Sequence, residues 1–270
     1  MTSGTSLITA TIVLSVAIAA AGAESSFHTT GTLELLLYLP PAGYAPAEKV
    51  SLLPPNAASY GIDVKSQLRW GRMFLVFDPL VLLGDSGVSG KPTYNVVPTT
   101  ALMRYGIGLQ MNDRIQLGLN HGEGFDIAGP PTHASMWNSL SMRARRQRST
   151  DFLEAHVYLP HGEYDPNPAV PFTDRIVARY SLEFAITVPT PEARRPFAFT
   201  EPFFLFGDSR PQIAYSWSAK PLAVRLNYGI GIPLARETQL RVTRGEWRDL
   251  GGYRRGRRQL WHGVSARYRW

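Results

Sequence analysis

A histidine and a carboxylate stand two residues apart in the first half of the chain, and both types of side chain can transfer protons. His121 precedes Glu123, and Asn138 follows later in the same half. Hydrolysis of an acyl ester needs a nucleophile that is activated by such a base. Ser135 and Ser139 are hydroxyl side chains nearby, but their spacing from His121 does not favour the role of nucleophile.

The elements that would position these residues are strands, because apolar and polar side chains alternate with a period of two. The clearest example runs from Arg175 to Val188, where the even-numbered positions are apolar. No long amphipathic helix is predicted after residue 23. The predicted strands are 31–39, 58–69, 73–84, 100–110, 114–122 and 134–145 in the first half, and 151–159, 174–188, 197–206, 221–232, 238–245 and 259–270 in the second.

The predicted connections alternate in length. Short turns are expected near 70–72, 111–113, 146–150 and 233–237, with a somewhat longer link at 189–196. Long polar or Pro/Gly-rich loops are expected at 40–57, 85–99, 123–133, 160–173, 207–220 and 246–258. Short turns at one end and long loops at the other are typical of an outer-membrane barrel. A soluble secreted β-sandwich or barrel is the alternative.

The two halves repeat one another at a nearly constant offset. Residues Tyr38–Pro40 recur 120 residues later as Tyr158–Pro160, and Tyr105–Gly108 recur 123 residues later as Tyr228–Gly231. We therefore predict an all-β transmembrane antiparallel β-barrel of about 12 strands, built by tandem duplication of a six-strand unit. The units are about 31–150 and 151–270, and they close as a single domain, 24–270, because six strands alone would leave open edges in lipid.

Two prolines fall at equivalent positions of the repeat, inside predicted strands. Pro79 and Pro202 each remove a backbone donor from the ladder. Their equivalence predicts a repeated β-bulge rather than two misassigned strands.

The N-terminal segment predicts export from the cytoplasm. An apolar run from Leu7 to Ala21 is followed by the small residues Gly22 and Ala23. This pattern is typical of a secretory signal peptide, residues 1–23, cleaved after Ala23. The run is shorter than the roughly 20 residues of a transmembrane helix. No Lys or Arg precedes it, so an uncleaved membrane anchor is the alternative.

Composition excludes several classes of protein. The chain has no cysteine, so a disulfide scaffold and thiolate zinc sites are excluded. Apolar residues make up 44%, too many for a disordered chain. The net charge is +7, but the basic residues are spread along strands without aromatic platforms, so no nucleic-acid partner is expected. We also expect no cofactor and no metal site.

One face of the predicted strands carries charges that would line a lumen. A barrel of about twelve strands is intermediate in width between a filled eight-stranded barrel and a sixteen-stranded porin. The arginines favour a narrow pore that prefers anions, and the alternative is a charge network that fills the lumen. The predicted lumen residues are Arg104, Arg143, Arg179, Arg225, Arg241, Arg267, Arg269, Glu34, Asp63 and Glu183.

The segment around His121 resembles outer-membrane phospholipase A. In that family a histidine and a serine two residues apart on one strand, with an asparagine on the next strand, face the membrane and cleave phospholipid with calcium. The stretch Ser135–Asn138 matches the family's element that leads through a tryptophan to the asparagine. The resemblance implies roles for His121 and Asn138. Glu123 stands at the position of the serine nucleophile, and Asn138 lies farther from His121 than in the family.

The strand that carries His121 is similar in layout to that of the lipid A deacylases of the outer membrane, which also use a His-x-Ser.

The chain ends on Tyr268, Arg269 and Trp270. An apolar strand with a terminal aromatic residue resembles the C-terminal signature of bacterial outer-membrane β-barrel proteins. This resemblance implies a location in the bacterial outer membrane, after export across the inner membrane. It also implies recognition by the barrel-assembly machinery through the strand that ends in Trp270.

The favoured function from sequence is an outer-membrane channel or uptake protein for small solutes, including anions. The alternatives are a membrane-embedded lipid acyl hydrolase that uses His121 and Asn138, and a structural barrel without transport. Outer-membrane lipids and lipopolysaccharide are the expected partners. A basic patch could meet lipopolysaccharide phosphates, and a solvated basic loop is the other interpretation of the same residues, which are Arg244, Arg248, Arg254, Arg255, Arg257 and Arg258.

Overall fold

The computed structural model describes the strands and short turns of the chain. The described residues are 27–39, 57–85, 97–126, 133–146, 151–159, 177–189, 195–208, 219–251 and 258–270. The predicted signal peptide and most residues of the predicted long loops lie outside them. Within the described residues, no helix is long and apolar enough to cross a membrane.

These residues form twelve β-strands. The strands of the first half are β1 Phe27–Leu39, β2 Ala57–Trp70, β3 Met73–Asp85, β4 Val97–Gln110, β5 Ile115–Asp126 and β6 His133–Arg145. The strands of the second half are β7 Phe152–Leu159, β8 Val177–Val188, β9 Phe197–Asp208, β10 Lys220–Pro233, β11 Thr238–Asp249 and β12 Arg258–Arg269.

The twelve strands close into one antiparallel barrel. Each strand pairs with its neighbours in sequence, and β12 pairs with β1 to complete the ring. The closing register sets Glu34 opposite Arg267 and Leu33 opposite Tyr268. Closure leaves no strand edge exposed to lipid. The predicted fold class, an all-β antiparallel barrel of twelve strands, is confirmed.

Two strands extend four residues farther toward the loops than the sequence predicts. β5 continues to Asp126, where residue 122 was the expected end, and β11 continues to Asp249, where residue 245 was the expected end. The neighbouring strands are long enough to keep pairing, since Glu123 lies opposite Met103. The expected loops 123–133 and 246–258 therefore begin too early, and Glu123 belongs to a strand.

The predicted bulges at the two prolines are wrong. The register of β2 against β3 is the same on both sides of Pro79, where two residue pairs are missing from the ladder. The side chain of Asp78 accepts a hydrogen bond from the backbone N–H of Ser66 at 3.1 Å. This carboxylate therefore satisfies a backbone donor beside the gap in the ladder. Pro202 stands in the same kind of gap. The register shifts occur instead next to Tyr60 and Tyr180.

The outer face of the barrel is an apolar belt. Leucine, isoleucine and methionine side chains with about half of their surface exposed point away from the lumen, among them Leu75, Ile107, Leu119, Leu140 and Ile230. In water such exposure would be unfavourable, whereas hydrocarbon solvates it at no cost. The belt defines the lipid-facing side of each strand.

Two buried glutamates organise the inner face. Glu34 on β1 accepts hydrogen bonds from Arg267 Nε at 2.7 Å and from Ser265 Oγ at 2.5 Å. Glu154 on β7 lies 2.8 Å from Arg143 Nη2 of β6. Glu34 sits where β1 meets β12, and Glu154 sits where β7 meets β6. Each junction between the two halves is thus held by one glutamate–arginine pair.

An apolar cluster lies at the loop end of the lumen, on the strands of the second half. Leu205, Leu222, Ala223 and Trp247 are buried, and the partly buried aromatic side chains that pack against them are Tyr158, Phe203 and Trp261. Trp247 lies opposite Arg225 in the β10–β11 register, on the face that points into the barrel. Trp247 also donates a hydrogen bond from Nε1 to Asp249 at 2.7 Å.

Replacing Glu154 by alanine should destabilise the barrel by about 3–5 kcal/mol, because it removes the buried carboxylate that pairs with Arg143 and that shares Arg104 with Asp78. Arg104 and Arg143 both pair with Glu154. Urea unfolding of the refolded protein in micelles, followed by tryptophan fluorescence, measures the change. The control is Glu237→Ala in an exposed turn, where less than about 0.5 kcal/mol is expected. Equal midpoints for the two variants would contradict the structural role of the glutamate.

Candidate functional site

A row of polar side chains crosses the lipid-facing wall of the first half. Tyr105 on β4 lies opposite His121 on β5, and His121 lies opposite Asn138 on β6. Leu119 and Ile107 lie on the same outer face of these strands and are about half exposed, so the polar row lies within the lipid-facing belt. The barrel therefore brings His121 and Asn138 together, although they are distant in sequence.

Both ring nitrogens of His121 contact oxygen atoms. Nδ1 lies 2.8 Å from Oδ1 of Asn138, and Nε2 lies 3.0 Å from Oε1 of Glu123. An amide oxygen only accepts hydrogen bonds, so the proton belongs on Nδ1. Nε2 faces the carboxylate of Glu123 at hydrogen-bond distance. The hydroxyl group of Tyr105 donates a hydrogen bond to the same carboxylate oxygen of Glu123 at 3.3 Å.

A glycine stands on the inner face between the two members of the polar pair. Gly122 stands between His121 and Glu123 and faces the lumen, where the indole of Trp137 covers it. A Cβ at residue 122 would overlap the indole ring. Trp137 therefore packs across β5 next to Asn138, which helps to hold β5 and β6 in the register that aligns the outer pair.

An apolar groove of about 740 Å³ adjoins the polar row on the outside of the barrel. Its wall includes Leu75, Phe77, Ile107, Leu119 and Leu159, with His121 and Asn138 on one side. The groove is mostly apolar, and His121 and Asn138 bring polar atoms to its edge.

The polar row lies well above the periplasmic turns. His121 follows Ile115, the first residue of β5, by six positions. With about 3.3 Å per residue and a tilt of about 40°, this spacing is about 15 Å along the barrel axis. In an apolar band about 25 Å tall that begins at the strand ends, this height lies just beyond the middle, on the side of the long loops.

The predicted lumen residues point inward and lie in ion-pair networks. Arg104 donates to Asp78 at 2.9 Å and to Glu154 at 3.3 Å. Arg241 donates to Glu201 at 2.8 Å. The remaining contacts include Arg225 with Glu183 at 3.5 Å, and Asp63 with Lys65 at 3.9 Å. Arg179 is buried.

Sequence reasoning did not single out Asp78 or Glu201, which supply carboxylates to these networks. Each of them immediately precedes an in-strand proline, Pro79 or Pro202. Their inward parity was the available signal. Asp78 lies directly opposite Arg104 on the adjacent strand, whereas Glu201 on β9 meets Arg241 on β11. Only closure of the barrel brings Asp78 of β3 and Glu154 of β7 to the same guanidinium group.

The same wall also carries a serine–histidine–glutamate trio on its inner face. Ser139 Oγ lies 3.1 Å from Nδ1 of His156, and Nε2 of His156 lies 3.2 Å from Glu154. All three side chains are buried, Ser139 at 1% exposure. A serine so enclosed has no access to a lipid, so the trio belongs to the packing of the lumen.

The lumen contains a cavity of about 350 Å³ toward the periplasmic turns. Polar side chains from most of the strands line it, including Gln116, Arg143 and Gln239. Buried Nε atoms of Arg143, Arg225 and Arg241 have no hydrogen-bond partner within the part of the chain that the structure describes. The cavity lies below the apolar cluster at the loop end.

The closed barrel, the apolar belt and the paired charges inside it define an outer-membrane β-barrel protein, located in the bacterial outer membrane. No family model and no curated protein matches the sequence.

Solved outer-membrane barrels resemble the structure. Outer membrane phospholipase A from Escherichia coli is 12% identical, with a TM-score of 0.49 over 88% of this chain and 92% of that chain. An outer membrane channel from Pseudomonas putida F1 is 11% identical, with a TM-score of 0.41 over 90% of this chain and 95% of that chain. These likenesses concern the barrel architecture alone.

Proposed function

We propose that the protein is a membrane-embedded lipid acyl hydrolase whose site is the trio His121, Glu123 and Asn138 on the outer wall. The observation that carries this proposal is the position of His121, hydrogen-bonded on both nitrogens and facing lipid beside an apolar groove. Polar side chains on the lipid face of a barrel are costly, so a linked set of them there supports a function directed at lipid.

The chemistry differs from that of a serine hydrolase. Glu123 occupies the place of a nucleophile, and no described serine side chain forms a hydrogen bond with His121. The side chain of Ser135 lies outside the described residues. The simplest reaction for this pair is attack by water, with the carboxylate as general base and the imidazolium as general acid.

Each proton has a defined route in this reaction. Glu123 takes a proton from water as the water oxygen bonds to the ester carbonyl carbon. The bond from that carbon to the alcohol oxygen then breaks, and His121 protonates the leaving alkoxide through Nε2. Glu123 returns its proton to His121 across their 3.0 Å contact. The products are a fatty acid and a lyso-lipid.

Asn138 has a positioning role in this scheme. Its amide oxygen holds Nδ1 of His121, which fixes the ring plane and leaves Nε2 facing Glu123. The groove holds the acyl chain, so the ester is presented to the pair from the lipid side.

Replacing Glu123 by glutamine should lower kcat for phospholipid hydrolysis by about 10² or more, because the amide cannot accept the proton of water. The measurement is fatty-acid release from phosphatidylethanolamine in mixed micelles. Glu246→Gln is the matched control, because Glu246 occupies the equivalent position of the second half, opposite Leu226. It should change the rate less than about two-fold.

Two results would overturn the proposal. One is a folded wild-type protein that releases no fatty acid. The other is a wild-type rate that Glu123→Gln and His121→Ala both leave unchanged.

A narrow anion channel is the second candidate function, and the cavity with its buried arginine nitrogens favours it. Against an open path stands the apolar cluster at the loop end, together with the ion pairs that cross the lumen. A structural barrel is what remains if neither activity is found.

Single-channel recording of residues 24–270 in a planar bilayer separates these functions. We expect no discrete openings, because the apolar cluster and the ion pairs occupy the lumen. Openings that favour anions, and that Arg104→Gln and Arg225→Gln make less selective, would establish the channel.

We infer that the two halves arose by duplication, and repeated contacts support this origin. Phe74 covers Gly108, and Phe197 covers Gly231, in pairs 123 residues apart. Likewise an indole covers Gly122 in the first half and Gly245 in the second. These contacts add to the evidence from the sequence repeat, because each contact between a glycine and an aromatic ring in one half has a counterpart in the other half.

A further inference from the structure

A second polar cluster lies on the lipid-facing wall of the other half of the barrel. Tyr228 on β10 lies opposite Arg244 on β11, and Arg244 lies opposite His262 on β12. Glu246 and Arg248 follow Arg244 on the same face of β11. Val242 precedes it on this face and is half exposed in the apolar belt, so the cluster faces lipid. It lies about half of the barrel away from His121.

The cluster carries more positive than negative charge. Glu246 pairs with Arg248, whose side chain is 52% exposed. Arg244 is also exposed, and among the described residues no carboxylate forms an ion pair with it. Two guanidinium groups and an imidazole thus face the membrane with one carboxylate between them.

The height of the cluster decides what can neutralise it. Arg244 follows Thr238, the first residue of β11, by six positions, which is again about 15 Å along the axis. An arginine facing lipid costs about 2–4 kcal/mol at the bilayer midplane and close to nothing at the interface. The apolar band is about 25 Å tall, so Arg244 starts beyond its middle, and its long side chain extends toward the loop-side interface, where the anionic groups of the lipid layer lie.

Arginine geometry selects the anion. The planar guanidinium group donates two parallel hydrogen bonds to a phosphate, and such charge-assisted pairs are stronger than neutral ones. His262, on the strand next to Arg244, adds a further donor within reach of cross-strand neighbours.

We propose that Arg244, Arg248 and His262 form a binding site for the phosphate monoester of an outer-leaflet lipid, as carried by lipid A. This site is separate from the one proposed for hydrolysis, and it anchors the second half of the barrel to the lipid layer. Tyr228, on the neighbouring strand, contributes the amphipathic ring typical of the interface.

Native mass spectrometry of the refolded full barrel tests the site, with the double variant Arg244→Gln/Arg248→Gln. The probes are diphosphorylated lipid A, phosphatidylglycerol and inorganic phosphate. The matched control, Arg72→Gln/Arg236→Gln, removes the same charge from exposed short turns. Wild type and control should bind lipid A equally. The double variant should bind it about 100-fold more weakly, because two charge-assisted contacts are lost.

Three outcomes would overturn the proposal. If wild type and double variant bind lipid A with equal affinity, the two arginines do not form the site. If wild type binds phosphatidylglycerol, a phosphodiester, as tightly as lipid A, the site has no preference for a monoester. Inorganic phosphate that binds as tightly as lipid A removes the lipid as ligand. None of these results bears on fatty-acid release at His121, so the two proposals fail separately.

Discussion

The rest of the structure depends on one constraint, which is that a sheet in lipid must satisfy all of its own backbone hydrogen bonds. Twelve strands meet it by closing, with β12 on β1. In the closed barrel every second side chain points into the lumen, and the charged side chains there need partners of opposite charge. Glu34 and Glu154 serve this need at the two junctions between the halves, each next to an arginine of the neighbouring strand. Ring closure and charge pairing thus stabilise the same two junctions.

Side chains alternate between the two faces of each strand, so the barrel wall carries one polar cluster on its outer face and a separate one on its inner face. Asn138 faces lipid and holds His121, whereas its neighbour Ser139 faces the lumen and contacts His156. Each histidine lies next to a carboxylate. The outer pair has an apolar groove beside it and the inner pair is enclosed by other side chains, so access from the lipid separates two otherwise similar clusters.

Much of the fold could be predicted from sequence, because alternation is a local property. Twelve strands, their antiparallel order and the closed ring follow from the pattern of apolar residues and the lengths of the connections. The ends of β5 and β11 could not, since continued pairing of Glu123 depends on the length of β4. The same limit explains the wrong bulges at Pro79 and Pro202, where the ladder has gaps without a shift of register.

The candidate site was only half predictable. His121 and Asn138 were named from a resemblance, but their contact at 2.8 Å and the approach of Glu123 depend on the β5–β6 register. The partners of the lumen arginines were harder still, since Glu154 on β7 reaches Arg104 on β4 and Glu201 on β9 reaches Arg241 on β11. Ion pairs of this kind are a property of the closed ring and have no signature in any one strand.

The central claim is that the chemistry of this protein lies on the outside of the barrel wall. Asn138 and Ser139 are adjacent in sequence and face opposite sides, so alanine at each position makes the most direct comparison. The measurement is the rate of fatty-acid release from phospholipid by the two folded variants. The account predicts a large loss of rate for Asn138→Ala and a rate close to wild type for Ser139→Ala. A loss confined to Ser139→Ala would place the chemistry in the lumen and contradict the account.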